Sequence, residues 1–424
     1  MLAPTQVRTD RFGNPLAEAL PYARGEILSD TQQDLRKLAK AWGLIRAKIQ
    51  TQGPEAVFNF TGLERKILLG SGADDPLDDE ISPALYYDQV RSAALEHLGG
   101  DPALHDIALF NRMAAATLAT HLALVKPGHV VIGASASYSH ATVLRAAKLA
   151  GAKFVDTKGL DEFRVALERQ EHVALVVLTR LAVTYDALPL KPMTDIVALA
   201  HRRNIPVYAD DAGGARVGPA VLQQPKMLQV GVDVGATGLD KYGCFGPRVG
   251  LLAGAKALVA QIRAKGFELG LEARPMLYGP ILRSLEAYDP RHVVELVQTT
   301  KTVAAELRKK FERRLVENAV TAQLLAEDIL ELVMERAGVE VASILPYEAS
   351  AALAMLLLRD YGVITVHFAG LPPGTAALLV KFIPRNTLER FGGARQFAEA
   401  VDASLDRLAE IITDAKAVED LLLH

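Results

Sequence analysis

The chain has 424 residues, half of them hydrophobic, too many for one ordinary core, so two or three packed units are expected. Its 47 Lys and Arg are balanced by 50 Asp and Glu, and no net charge argues for nucleic acid or an acidic membrane as partner. The one cysteine, Cys244, excludes an intrachain disulfide and suits a cytoplasmic protein.

The opening segment, MLAPTQVRTDRFGNP, lacks a basic region followed by an apolar core and does not read as a signal peptide. Residues 1–55 read as a polar arm with one helix over Asp30–Gln50. From about 80 to 255, short apolar runs alternate with longer amphipathic segments. The runs His129–Gly133, Lys153–Asp156, Val173–Thr179, Pro206–Asp210, Val232–Thr237 and Val249–Ala253 are predicted strands, and Ser139–Ala150, Gly159–Gln170 and Met193–Asn204 are predicted helices. Several strands are apolar on both faces, as strands covered by helices on both sides must be. The pattern predicts an α/β domain over 56–288, a mostly parallel sheet with helices on both faces. After it, helices over Pro290–Asn318 and Leu324–Ala337, short runs at Tyr361–Phe368 and Ala377–Ile383, and a helix from about Ala394 predict a smaller α+β domain over 289–424. The longest apolar stretch, Ala349–Leu358, falls far short of the roughly 20 residues of a membrane span.

Open sheets of this kind bind ligands at the carboxyl ends of their strands, and four landmarks fall there. Leu109-Phe-Asn-Arg-Met-Ala-Ala-Ala-Thr117 feeds a polar turn into a helix that begins with small residues. Free amides and a positive dipole end suit a phosphate, with Asn111, Arg112 and Met113 at hand, although an ordinary N-cap would read the same way. Ser135-Ala-Ser-Tyr-Ser-His-Ala-Thr142 places His140 at a strand–helix junction, where it could lie flat on an aromatic cofactor or simply be structural. The ten histidines show no metal-ligand spacing, and no metal is expected. Pro206-Val-Tyr-Ala-Asp-Asp-Ala-Gly-Gly214 ends a strand in a carboxylate pair, where Asp210 or Asp211 could meet a ring nitrogen or cap the next helix. Gly231-Val-Asp-Val-Gly-Ala-Thr-Gly-Leu-Asp-Lys-Tyr-Gly-Cys-Phe-Gly-Pro-Arg-Val-Gly250 delivers Lys241 into a glycine-rich turn 31 residues after Asp210. Thr237 and Gly238, four and three residues before the lysine, can offer a hydroxyl and an amide to a phosphate. Cys244 beside it reads as a small buried filler rather than a nucleophile.

Taken in order, these landmarks resemble the fold-type I pyridoxal-phosphate (PLP) enzymes, the aspartate aminotransferase superfamily. The likeness covers roughly residues 57–290 well and the smaller domain loosely. It implies that Lys241 holds PLP as a Schiff base and that Asp210, with Asp211 as substitute, pairs with the pyridine nitrogen. It also implies that Ala212 lies under the ring and His140 over it, with Asn111, Arg112, Met113 and Thr237 on the phosphate.

Two subgroups are echoed. Val57-Phe-Asn-Phe-Thr-Gly62 and Leu239-Asp-Lys-Tyr-Gly-Cys-Phe-Gly-Pro247 are similar to segments of bacterial selenocysteine synthase and its relatives, and Glu272-Ala-Arg-Pro275 with Arg283-Ser-Leu-Glu-Ala287 fits the next segment of that group. That makes Arg274 a candidate active-site arginine, crossing into a neighbouring subunit. The short stretch before Val57 argues against a tRNA-binding domain and so against nucleic acid as a partner. Pro346-Tyr-Glu-Ala-Ser-Ala-Ala-Leu-Ala354, Tyr361-Gly-Val-Ile-Thr-Val366 and Leu378-Leu-Val-Lys-Phe-Ile-Pro-Arg385 resemble the tryptophanase and tyrosine phenol-lyase family. Where that family has its substrate-carboxylate arginine this chain has Val380, so Lys381 or Arg385 is the substitute candidate.

Both subgroups imply chemistry at Cα–Cβ of an amino acid with a β-leaving group: β-elimination, with a selenocysteine synthase-like transfer or β-replacement as the alternative. A retro-aldol cleavage of a β-hydroxy amino acid, or a PLP-binding protein without turnover, uses the same parts. The superfamily also implies a homodimer or larger assembly.

Overall fold

The computed structural model describes residues 8–69 and 77–424; the first seven residues of the opening segment lie outside them. Two compact units emerge, Met1–Leu63 with Glu295–His424, and Glu64–Val294. The first begins with α1 (Thr31–Gln52), where the Asp30 side chain accepts from the Gln33 amide at 2.9 Å. Such a cap stabilises a helix by about 1 kcal/mol and fixes where it starts. After α1, the two-residue strand β1 (Phe58–Asn59) runs parallel to Val363–Ile364.

The second unit carries α2 (Ile81–Leu98), β2 (His105–Phe110), α3 (Met113–Leu124), β3 (Val130–Ser135), α4 (Ala141–Leu149), β4 (Lys153–Lys158), α5 (Gly159–Arg169), β5 (Val173–Leu178), α6 (Leu190–His201), β6 (Val207–Asp210), α7 (Gly214–Val221), β7 (Val234–Gly238), β8 (Gly250–Ala255), α8 (Lys256–Glu268) and α9 (Tyr278–Glu286). Its seven strands lie in the order β2-β8-β7-β6-β5-β3-β4. The run from β7 to β4 is parallel, while β8 is antiparallel to both β7 and β2. The mostly parallel α/β architecture expected from the alternating pattern is the one found. Strands β3, β5, β6 and β7 are buried on both faces because two separate apolar clusters cover them. One is built on Leu95, Ile132, Val176, Ile196 and Leu251, the other on Ala116, Val131, Leu175, Tyr208 and Ile262. Odd and even strand residues divide between the two clusters, as the period-2 geometry of a strand requires.

The remainder of the first unit departs from the pattern read off the sequence. The helix over 290–318 ends as α10 (Pro290–Phe311), and its tail becomes β9 (Leu315–Glu317). β9 pairs with β10 (Thr321–Leu325), which takes the first residues of the segment predicted as the next helix, so α11 spans Ala326–Ala337. Then follow the almost wholly buried α12 (Pro346–Tyr361), β11 (Val363–Ile364), β12 (Ala377–Lys381) paired with β10, and α13 (Arg385–Phe391). The terminal helix is two, α14 (Gly393–Ile411) and α15 (Ala415–Leu423), split where Asp414 caps the second by accepting from the Ala417 amide. Among the described residues no helix is long and apolar enough to cross a membrane.

Candidate active site

Strands β6 and β7 are parallel neighbours, with Asp210 in register with Ala236. Asp210 is the last residue of β6, and Lys241 follows three residues after β7 ends at Gly238. The two side chains interact electrostatically in a setting that withdraws both from water. Burial lifts the Asp210 carboxyl to a pKa of about 6, neighbouring Asp211 adding to the rise and Lys241 opposing it. Burial likewise lowers the Lys241 ammonium, against the pull of Asp240 and Asp210. A lysine of lowered basicity is a usable amine nucleophile and base.

The carboxylate pair divides its work. Asp211 is buried 3.0 Å from the Arg180 guanidinium, and its amide donates to the Ala236 carbonyl at 3.0 Å. Asp210 instead faces Lys241. Arg216, fully buried in α7, donates from one nitrogen to the Ala212 carbonyl at 2.9 Å, the Thr237 hydroxyl at 2.8 Å and the Gly238 carbonyl at 2.7 Å. It staples the turn after β6 to the end of β7, and Thr237 spends its own proton on the Ala212 carbonyl at 3.2 Å. Sequence reading passed over Arg216, which looks like any helical arginine until its three acceptors converge.

Tyr242 and Tyr185 brace the lysine turn. Tyr242 is buried and Tyr185 half-buried, their hydroxyls are 2.5 Å apart, and both sit at positive φ, +48° and +67°. Bulky residues hold that conformation only where the surroundings over-determine it. A Cβ on Gly213 would lie 2.2 Å from the Tyr242 ring, so the glycine clears space for that ring.

The start of α3 forms another side. Arg112 occupies the N-cap position without a capping side-chain bond, and Asn111 and Arg112 are exposed. Because Phe110 at the end of β2 is opposite Gly250 at the start of β8, Arg112 and Arg248 emerge on adjacent strands at the same edge. Burial, together with Arg65 and Arg112, depresses the Arg248 guanidinium to about 10, with Asp240 in opposition. Arg65 is itself held by Asp240 at 2.7 Å. Arg248 was missed in the sequence, although its place just before the strand that follows Lys241 was the available signal. A Cβ on Gly250 would stand 2.6 Å from the Arg112 carbonyl oxygen and 2.9 Å from the Met113 nitrogen. Gly250→Ala is therefore expected to push the start of α3 away and weaken PLP affinity by at least about tenfold, a cost of about 1.4 kcal/mol, measured by equilibrium dialysis against the cofactor.

His140 caps α4, its Nδ1 accepting from the Thr142 amide at 3.1 Å, and burial with the nearby Lys241 and Arg145 drops its pKa to about 4. It is a neutral ring in electrostatic contact with the lysine. Cys244 is buried, with its thiol pushed up by burial.

Among the described residues, the ion-pair partner of Arg274 is Asp79, with Nε at 2.8 Å, on the surface. Arg385 opens α13 in the other unit and pairs with Glu389 at 2.8 Å in the open. Lys381, also in that unit, is buried at the end of β12, and Val380 beside it is buried too. There the Asn59–Gly62 turn lies against Lys381: a Cβ on Gly62, at φ +69°, would be 2.5 Å from the Lys381 carbonyl oxygen. The two sequence segments that echo different enzyme groups are thus packed on each other.

The donor set suits PLP. An amine of lowered basicity can take the aldehyde, and the buried carboxylate of Asp210, which among the described residues has no arginine ion-pair partner, can take the ring nitrogen. Arginines gathered at a helix start can take the phosphate dianion.

No protein-family model matches the chain. A UPF0425 pyridoxal phosphate-dependent protein of Methanothermobacter thermautotrophicus is 29% identical over 353 residues, covering 83% of this chain and 88% of that protein. An L-seryl-tRNA(Sec) selenium transferase of Methylocella silvestris is 26% identical over 269 residues, 59% of this chain and 56% of that one. Among solved structures, aspartate aminotransferase of Thermotoga maritima superposes with a TM-score of 0.56 at 16% identity, covering 88% of this chain and 96% of that one. The chain is thus similar in sequence to proteins named as pyridoxal phosphate-dependent and shares its fold with aspartate aminotransferase, and the donor set at the ends of β6 and β7 agrees with both.

Proposed function

We propose that the protein is a lyase acting at Cα–Cβ of an amino acid bearing a β-leaving group. The observation that carries this reading is Lys241, with its lowered basicity, facing Asp210 across the ends of β6 and β7. PLP supplies, when bound, an electron sink for charge developing at the substrate Cα. Asp210 keeps the ring nitrogen protonated and so maintains that sink. Arg112, Arg248 and the amides opening α3 hold the phosphate; Ala212 and His140 pack the two ring faces. Lys241 Nζ would hold the cofactor and, as a free amine beside the substrate, would accept the Cα proton. The β-substituent would then leave with the electron pair of its bond to Cβ, and water would hydrolyse the released aminoacrylate, as its imine, to a 2-keto acid and ammonia. The substrate carboxylate falls to Arg274, Lys381 or Arg385. Amino-acid substrates, a cytoplasmic setting and a homodimer complete the reading.

A transferase that adds a nucleophile at Cβ is the second reading, favoured by the selenium-transferase relative and the Asn59–Gly62 turn. A panel of serine- and cysteine-like amino acids separates the two. Ammonia and keto acid released without added nucleophile support the lyase, whereas product that forms only when a thiol, selenide or other nucleophile is supplied favours transfer. Silence across both arms, from a PLP-loaded protein, would sink both.

A further inference from the structure

Helix α1 leaves a row of apolar side chains uncovered. Leu35, Trp42 and Ile49 recur every seven residues and are 53%, 60% and 40% exposed. Seven residues make about two turns, so the row runs straight for roughly 21 Å. Leu38 and Ile45, half-buried, fall between them, and together the five have the a/d spacing of a helix–helix seam. An adjoining face of α1, about a quarter to a third of a turn around the helix, buries Asp34, Lys37 and Ala41 within the unit, so the row is not the helix's own core contact. Arg36 and Arg46 are exposed along its margin, which makes the row apolar and basic.

Helix α2 carries the complement. Ile81 and Leu85, one turn apart, are 50% and 52% exposed, with Ala84 exposed between them and Glu80 and Asp88 exposed at either end. That face is apolar and acidic. Asp79, the residue before Glu80, is the one that holds Arg274.

We propose that the α1 row of one copy seats on the Ile81–Leu85 face of α2 in a second copy of this chain. A two-fold axis then makes the contact twice, each copy offering one basic and one acidic row, and the assembly closes as a dimer. Pairing α1 with α1 would set Arg36 and Arg46 against the same residues of the partner, a like-charge arrangement that costs stability. Apolar rows of this length bounded by charge are the signature of a partner surface rather than of scattered surface residues. The seat also places the Asp79–Arg274 pair at the margin of the interface. The inference rests on the homodimer in the proposed function and adds to it which faces meet.

Trp42 is the only tryptophan in the chain, so its fluorescence reports on this row alone. The full-length PLP-loaded protein is followed by light scattering and by acrylamide quenching across a dilution series. The expected result is a dimer in which quenching is at least about threefold weaker than after dilution to monomer. Arg46→Glu should weaken dimerisation by about tenfold, equal to about 1.4 kcal/mol, and Asp88→Arg in the same chain should restore it. A dimer whose Trp42 is quenched as freely as the monomer's overturns this surface while the homodimer stands. A protein that is monomeric at every concentration overturns both. Loss of dimer in Arg46→Glu without rescue by Asp88→Arg rejects α2 as the seat. Arg46 is exposed, and unchanged circular dichroism separates an interface effect from misfolding.

Discussion

Lys241→Ala is expected to remove the visible absorbance of the bound cofactor and to lower turnover by at least about 10³-fold, in line with the loss of a positioned proton-transfer group together with the covalent anchor. The side chain lies three residues beyond β7 in a buried turn braced by the Tyr185–Tyr242 hydroxyl pair. Its low basicity comes first from burial, with Asp240 and Asp210 restoring part of the charge. The backbone of that turn is held by Arg216 and the tyrosines rather than by Lys241 itself, so the variant should keep the fold, checked by circular dichroism. Added methylamine, which can enter the space left by the side chain, should restore part of the activity. A variant that retains both the absorbance and the turnover removes Lys241 from its role.

Asp210→Asn and Asp211→Asn give opposite phenotypes although the residues are adjacent. Asp210→Asn is expected to lower turnover by about 10²–10⁴-fold, to shift the bound cofactor's spectrum and to leave the fold intact. Asp211→Asn strands the buried Arg180 guanidinium and costs about 3–5 kcal/mol of stability, as breaking one side of a buried ion pair does. The pH dependence distinguishes them further. Asp210 has a folded-state pKa of about 6, above its ordinary 3.8, so in the cofactor-free protein burial favours the protonated form. The resulting stabilisation is complete below about pH 4 and is lost as pH rises through 6. Urea melts of the cofactor-free protein between pH 4 and 7 should show that loss, and Asp210→Asn should flatten it. If the two variants are indistinguishable by spectrum and by melt, the division of labour between the carboxylates is wrong.

Much of this protein could be read locally. The alternation of short apolar runs with amphipathic helices dictates a parallel sheet, because strands apolar on both faces must be covered on both sides. In such a sheet the ligand-facing positions are the carboxyl ends of the strands, which is why Asp210, His140 and the Asn111–Met113 turn stood out without coordinates. Lys241 stood out because a lysine in a glycine-rich return follows a short buried strand.

What tertiary structure alone decided is which of several equivalent residues does the work. Asp210 and Asp211 differ by one position, and only the burial of Arg180 against Asp211 leaves Asp210 to face the lysine. Arg248 meets Arg112 because β8 turns back antiparallel on β2, a pairing between segments far apart in sequence that local pattern does not encode. The tail of the helix predicted over 290–318 became β9 because β10 offered it a partner, and strand pairing outweighs local periodicity. Composition and spacing are properties of neighbours along the chain, and they specify strands, helices and the edge where chemistry gathers. Charge pairing in a dry interior depends on which distant groups share the space, and that is settled only when the chain has folded.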